Sequence, residues 1–271
     1  MSPLPVLLVD GYDAVLLDLD GVVYVGEHAV PGAIETIDAV RERGHRVIYL
    51  TNNASRAGSV VAAHLRELGV QLEDSDVVTS AQAAARMVAD QVPAGAAVLV
   101  VGGDGLVVAL SELGLRPVWS FDDEPIAVVQ GFSPDVGWRL LTEGVRAVRA
   151  GLPWVASNLD LTIPTTVGIA PGNGMLVNVI RQVTGAEPLV AGKPERHLVE
   201  EAVRRTGAER PLMVGDRLDT DIAAAQRYGC DSLLVLTGVT SESDLDDVPE
   251  HLRPTYVGAD LRSLLVPPMS V

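Results

Sequence analysis

Short apolar runs rich in β-branched residues alternate along this chain with stretches of helical period. "AVLLDLDGVVY" (14–24) opens as a buried strand, and "HRVIYLTNN" (45–53) carries the next one. Between them, from Pro31, "PGAIETIDAVRERG" places Ile34, Ile37 and Val40 at helical spacing and stops at Gly44, a residue that accepts the left-handed backbone of a helix end. "GSVVAAHLRELG" predicts a second amphipathic helix, closed by Gly69. Beyond residue 80 come the strands "AAVLVVGG", "IAVVQGF" and "PWVASN", with the helices "DGLVVALSELG", "VGWRLLTEGVRAVRAG" and "GMLVNVIRQVTG". From about 188 the earlier character returns: helix "PERHLVEEAVRRTG", strand "PLMVGD", helix "TDIAAAQRYG", strand "DSLLVLTG". Such alternation predicts βαβ units on a parallel sheet. The expected fold class is α/β, a doubly wound, Rossmann-like parallel-sheet core formed by 1–80 and 188–271, with an α/β domain inserted at 81–187.

Composition narrows the function classes. Apolar residues make up 48% of the chain, which excludes a disordered protein. Lys and Arg number 20 against 36 Asp and Glu, a formal net charge of −16 that disfavours nucleic-acid backbones and anionic lipid. With 4% aromatic residues there is little material for stacking bases. Cys230 is the single cysteine and forms no intrachain disulfide, and the start "MSPLPVLLVDGYD" has no basic leader region. The expectation is a cytoplasmic protein with no membrane or nucleic-acid partner.

The chemistry begins with Asp18 and Asp20. Two carboxylates spaced two apart on a strand face the same way, and their proximity needs a cation or hydrogen bonds to compensate it. Thr51, Lys193 and Asp216 also follow apolar runs. In an open parallel sheet the ligand crevice lies beyond the carboxyl ends of the strands, so these five converge on one rim. Several acids with one lysine imply a divalent cation, and oxygen donors select Mg²⁺ over zinc. A hydroxyl, an ammonium and a cation around a carboxylate suit phosphoryl transfer, where positioned charge does most of the work. Pro194 suits the first turn of a helix.

At these residues the sequence resembles a known family. "DLDGVVY", "TNN", "GKPE" and "GDRLDTDI" resemble, in order, the four motifs of the haloacid dehalogenase superfamily of phosphatases, and the insertion is similar to the large cap of its NagD-like branch. That branch includes p-nitrophenyl, phosphoglycolate, glycerol-phosphate and pyridoxal-phosphate phosphatases. The resemblance implies that Asp18 is the nucleophile of an aspartyl-phosphate intermediate. It implies that Asp20 is the general acid and base, with its backbone carbonyl on Mg²⁺. Thr51 and Asn52, with Asn53 of the same motif, would bind the substrate's phosphoryl group, and Lys193 would brace it and Asp18. Asp216 would ligate Mg²⁺, with Asp221 acting directly or through water. A homodimer through the cap and a small phosphorylated metabolite as substrate are implied in the same way.

Each residue also has a plainer explanation. Asp219 and Thr220 suit a helix N-cap, Asp221 a first-turn acid, and Thr51-Asn52-Asn53 an ordinary turn. Arg217 could serve loop carbonyls or a substrate anion. "VVGGDGLVV" mimics a dinucleotide loop but lacks its third glycine, so a tight strand-to-helix turn is expected. His28, His45, His64, His197 and His251 show no ligand pairing. The same four motifs also fit a phosphotransferase or phosphomutase. A receiver-like phospho-acceptor is a third reading, although a module that stores phosphate has no use for the acid at Asp20. The loop "SNLDLTIPTTVGIAPGNG" (157–174) has hydroxyls and small residues but no aromatic residue or arginine, which favours a small polyol or hydroxy-acid phosphate.

Overall fold

In a computed structural model of the chain, residues 6–165 and 168–268 are described. Strand β1 (Ala14–Asp18) is followed by a hairpin of β2 (Tyr24–Val25) and β3 (His28–Ala29), helix α1 (Ala33–Glu42), β4 (Arg46–Thr51), α2 (Gly58–Glu67) and β5 (Val77–Thr79). Then come α3 (Ser80–Ala89), β6 (Ala97–Val101), α4 (Asp104–Glu112), β7 (Arg116–Val118), β8 (Ala127–Gln130), α5 (Trp138–Arg149) and β9 (Trp154–Ala156). An antiparallel hairpin, β10 (Thr162–Thr165) with β11 (Gly168–Pro171), precedes α6 (Asn173–Thr184) and β12 (Leu189–Val190). The chain closes with α7 (His197–Thr206), β13 (Pro211–Gly215), α8 (Ala223–Tyr228), β14 (Asp231–Val235) and β15 (Tyr256–Gly258).

Two compact units result. The first takes in the chain up to Leu50, Val61–Val78, and everything from Lys193 onward. Its sheet has the order β15-β14-β13-β1-β4-β5. β1 lies at its centre, parallel to β13 on one side and β4 on the other. A central parallel strand is covered on both faces, which is why "AVLLD" reads as an unbroken apolar run and is buried at all five positions. Val15 and Leu17 join Val47 and Tyr49 of β4, Ile37 and Val40 of α1 and Leu65 of α2 in one core, each such side chain contributing roughly 1.5–3 kcal/mol by leaving water. The expected helix stops hold: Gly44 and Gly69 take φ of +91° and +101°.

The second unit comprises Thr51–Val60 and Thr79–Gly192. Its parallel sheet runs β12-β9-β8-β6-β7, and Leu99, Val101 and Val128 pack with Ala147 of α5 and Val177 and Ile180 of α6. The glycine turn "VVGGDGLVV" is a strand-to-helix junction between β6 and α4. At Gly105 a Cβ would come within 2.6 Å of the carbonyls of Ala54 and Arg56, so this glycine lets the 51–60 segment sit against the start of α4. Thr166 and Val167 of the hydroxyl-rich loop, and Met1–Pro5 of the N-terminal stretch, lie outside the described residues.

Two local expectations change. Helix α7 starts at His197, so Pro194 belongs to the turn before it rather than to its first turn. Asp219 is not an N-cap: its carboxylate receives Nε and Nη2 of Arg217 at 3.0 and 2.8 Å, because the chain leaves β13 through a wide π-type turn, Leu218–Ile222, before α8 begins. Helix α3 (Ser80–Ala89) adds to the elements that the periodicity predicts. Among the described residues no helix is long and apolar enough to cross a membrane.

Candidate active site

Parallel pairing sets the first two acids side by side. Leu17 of β1 is in register with Val214 of β13, so Asp18, which ends β1, and Asp216, which follows β13, emerge from the same edge of the sheet. The π-type turn then folds Asp221 back toward them, its Oδ2 accepting the backbone N–H of Arg217 at 3.1 Å. Lys193 completes the group. Its Nζ donates to Asp18 Oδ1 at 2.5 Å and to Asp221 Oδ1 at 2.6 Å. Asp18, Lys193, Asp216 and Asp221 are all buried.

The electrostatics follow from this crowding. Burial, reinforced by the charge of Asp221, pushes the Asp18 carboxyl up to about 8 even against Lys193. Burial likewise pushes Asp216 up to about 6, although the Val239 N–H, 2.7 Å from its Oδ2, favours the ionised form. For Lys193, burial alone would favour the neutral amine, but Asp18 and Asp221 outweigh it and hold the ammonium above its usual range. Three carboxylates against one ammonium leave a deficit of positive charge.

The residues fit a hard divalent cation. Asp18, Asp216 and Asp221 each offer an oxygen, and these atoms lie within 4.8 Å of one another. Asp216 Oδ1 is buried and, among the described residues, has no hydrogen-bond partner, which is the state of an oxygen aimed at a ligand. The surroundings are cut to this shape. Gly21 takes φ +81°, and a Cβ on it would lie 2.5 Å from Asp216 Oδ2; Cβ atoms on Gly238 and Gly215 would overlap Asp216 and Asp221.

Asp20 stands apart from the buried group. Its side chain is exposed, and the hydration it has lost raises its pKa against the opposing pull of Lys193 and His64. Gly21 turns the chain directly after it, with its N–H donating to Tyr24 at 2.8 Å. This leaves Asp20 accessible to an incoming molecule.

Thr51, Asn52 and Asn53 group by contacts with the second unit. Thr51 ends β4, whose Leu50 is in register with Asp18. Thr51 Oγ1 accepts the N–H of Asn53 at 3.1 Å, and Asn53 Oδ1 accepts the N–H of Ser55 at 2.9 Å, a pair of local turns. The Asn52 amide donates to Asp160 at 3.4 Å, while its carbonyl accepts from Ser80 at 2.6 Å and from Asn158 at 2.7 Å. Arg217 is paired with Asp219, as described above.

Sequence reasoning missed the segment after β14. Besides Val239 on Asp216, the N–H of Thr240 donates to the Asp216 carbonyl at 3.1 Å and Thr237 Oγ1 to the carbonyl of Gly21 at 2.6 Å. The signal was present: "LTGVT" leaves a buried strand at the same end of the sheet as the other site loops.

Comparison with known proteins bears on this geometry. Residues 15–116 match the family described as haloacid dehalogenase-like hydrolase, and residues 190–264 match the HAD-hydrolase-like family. D-glycerol 3-phosphate phosphatase of Mycobacterium tuberculosis is 50% identical over 253 residues, spanning 93% of this chain and 71% of that protein. Acid sugar phosphatase of Staphylococcus aureus is 36% identical over 256 residues, spanning 94% and 97%. The crystal structure of glycerol phosphate phosphatase from Mycobacterium tuberculosis in complex with magnesium superposes with a TM-score of 0.92 at 48% identity, covering 96% of this chain and 78% of that one.

Proposed function

Because the chain belongs to the haloacid dehalogenase-like hydrolases, we propose that it is a Mg²⁺-dependent phosphatase of small phosphate monoesters of the glycerol phosphate type. The observation that carries this is the cluster of Asp18, Asp216 and Asp221 around Lys193. Asp18, Asp216 and Asp221, with the backbone carbonyl of Asp20, would hold the metal. When bound, Mg²⁺ supplies positive charge against the phosphoryl oxygens and keeps the acids ionised.

The chain's own residues account for the rest. Asp18 Oδ attacks phosphorus, forming an acyl phosphate as the ester P–O bond breaks. Asp20 delivers its proton to the departing alkoxide, a role that suits an accessible carboxyl with a raised pKa. Asp20 then takes a proton from the water that attacks the aspartyl-phosphate, releasing phosphate and regenerating Asp18. Lys193 holds Asp18 in position and offsets charge throughout. Thr51, Asn52 and Asn53 bind the phosphoryl group. The contacts of Asn52 with Asp160 and Asn158 support a second task, tying that motif to the inserted domain at 81–187.

Similarity to D-glycerol 3-phosphate phosphatase supports glycerol phosphate over phosphoglycolate, as does a 157–174 loop with no arginine to meet a carboxylate. The inserted domain confers selectivity and dimerises. Met175, Val179 and Val183, one turn apart on α6, are exposed apolar residues that such an interface would cover. The test is phosphate release from a panel of monoesters, with Mg²⁺ and after EDTA. Glycerol phosphate is expected to give the highest kcat/KM and chelation to abolish turnover. Transfer of phosphate to a sugar without free phosphate would establish a phosphotransferase instead.

A further inference from the structure

Away from the acidic rim, the first unit carries a cavity of about 570 Å³ whose wall is cationic. It is lined by Arg41 at the end of α1, Arg46 at the start of β4 and Arg205 in the last turn of α7, with Asp76 as the one acid. Arg46 opens the strand whose Leu50 is level with Asp18, so it stands four residues, roughly 13 Å, down the sheet from the catalytic carboxylates. Cations here are unexpected in a chain of net charge −16.

Basic residues at helix C-termini commonly serve the free carbonyls there, but of these three only Arg46 meets a helix-end carbonyl, that of Thr206. Arg41 Nη1 donates to the Gln71 carbonyl at 2.7 Å, Arg205 Nη1 to that of Val77 at 2.9 Å, and Arg46 Nη1 to that of Thr206. Each bond uses one N–H of the five a guanidinium carries. Their carboxylate partners do not neutralise the wall. Arg46 has no ion pair among the described residues, and Arg41 reaches Asp76 only at 3.5 Å. Arg205 shares buried Glu201 with Arg204, so one carboxylate faces two guanidinium groups. His45 also lines the cavity, with its ring engaged elsewhere: Nδ1 is 3.0 Å from the Tyr12 carbonyl and Nε2 3.8 Å from Asp10.

We propose that this cavity is a second, non-catalytic anion site, taking the phosphoryl group of a small phosphorylated metabolite or free phosphate between Arg41, Arg46 and Arg205. The guanidinium fork matches phosphoryl oxygens, and the volume lies in the range of small-molecule pockets. Among the described residues the lining has Val47 and Ile48 as its apolar part and no Phe, Tyr or Trp, which disfavours a nucleotide base.

The test is calorimetric titration of the full chain, metal-free in EDTA, with inorganic phosphate and separately with glycerol 3-phosphate. Without metal the one ammonium of the catalytic group, Lys193, is already engaged by Asp18 and Asp221, so that group offers neither probe a cation. One saturable site per chain is expected in the wild type and in Asp18→Asn. Arg46→Gln is expected to weaken it about tenfold, the loss of one charge-assisted contact, and Arg41→Gln similarly. Arg46→Gln should keep the wild-type circular dichroism spectrum and its kcat/KM on p-nitrophenyl phosphate. Tighter binding of glycerol 3-phosphate than of phosphate identifies an organic ligand, and equal binding identifies free phosphate. Absence of saturable binding, or binding that Asp18→Asn removes and Arg46→Gln leaves intact, overturns the site.

Discussion

Lys193 Nζ lies 2.5 Å from Asp18 Oδ1, and both groups are buried. Among the described residues it is the one ammonium that touches the acids, so Lys193→Met leaves three carboxyl groups facing each other without a cation. Removing one partner of a buried ion pair costs about 3–5 kcal/mol, and removing a charge-stabilising donor lowers kcat by about 10²–10³. Thermal unfolding with and without Mg²⁺ separates the two effects. The metal should return much of the lost stability to the variant and little of its activity.

Asp18 and Asp20 should fail differently. Asp18→Asn removes the proposed attacking carboxylate, and no phosphoryl-enzyme should be trapped by acid quench. Asp20→Asn removes the proposed proton transfer, an effect commonly worth about 10²–10⁴ in rate. That penalty should shrink on p-nitrophenyl phosphate, whose leaving group needs little protonation, relative to glycerol phosphate. Equal penalties on the two esters would take Asp20 out of the leaving-group step.

The strands and helices that bury a continuous face were legible because burial and period coincide there. "AVLLD", "RVIYLT" and "PLMVG" needed only their composition, and Asp18, Asp20 and Asp216 stood out as acids where apolar runs stop. Helix α3 escaped because its alanines give a weak period, although Thr79 and Gln82 form a capping box that its sequence spells out. The hairpin of β2 and β3 has two residues per strand, too few for an alternation. Asp221 read equally well as a first-turn acid until the π-type turn aimed it at Lys193. The arginine cavity draws on residues 41, 46 and 205, a juxtaposition that only tertiary structure creates.

The acids predict an unusual pH dependence. Asp18 and Asp216, pushed up to about 8 and about 6, lie above the ~3.9 of an unfolded aspartate. The metal-free folded state therefore binds protons that the unfolded chain has released. That contribution to stability is complete below about pH 4 and is lost as pH rises through 6 and then 8. In EDTA the Tm should fall from about pH 5 to about pH 8.5 more steeply for wild type than for Asp18→Asn, and stabilisation by Mg²⁺ should grow over the same interval. Parallel slopes would remove Asp18 from the account.

Gly238 tests the shaping of the proposed metal site without replacing a ligand. Its Cβ would collide with the carboxylate of Asp216. Displacing a group that orients a ligand typically costs 10–100-fold in metal affinity, so Gly238→Ala should raise the Mg²⁺ concentration for half-maximal activity by about that factor. Near-normal kcat at saturating Mg²⁺ would locate the damage at the metal, whereas an unchanged Mg²⁺ requirement would show that the loop yields.

The pairing of β1 with β13 also sets a schedule for the growing chain. Leu17 finds Val214 only after about 200 intervening residues exist, which at 5–20 residues per second means roughly 10–40 s of synthesis during which Asp18 has neither Lys193 nor Asp216 beside it. A nascent or truncated chain that stops short of β13 thus carries Asp18 but cannot enclose it. On the proposed mechanism such fragments are expected to be silent toward phosphate esters, and the edge of β1 that faces β13 stays open until that strand is made, while the other is covered early by β4. The ribosome-bound intermediate, rather than the finished protein, is where this architecture is most exposed to aggregation.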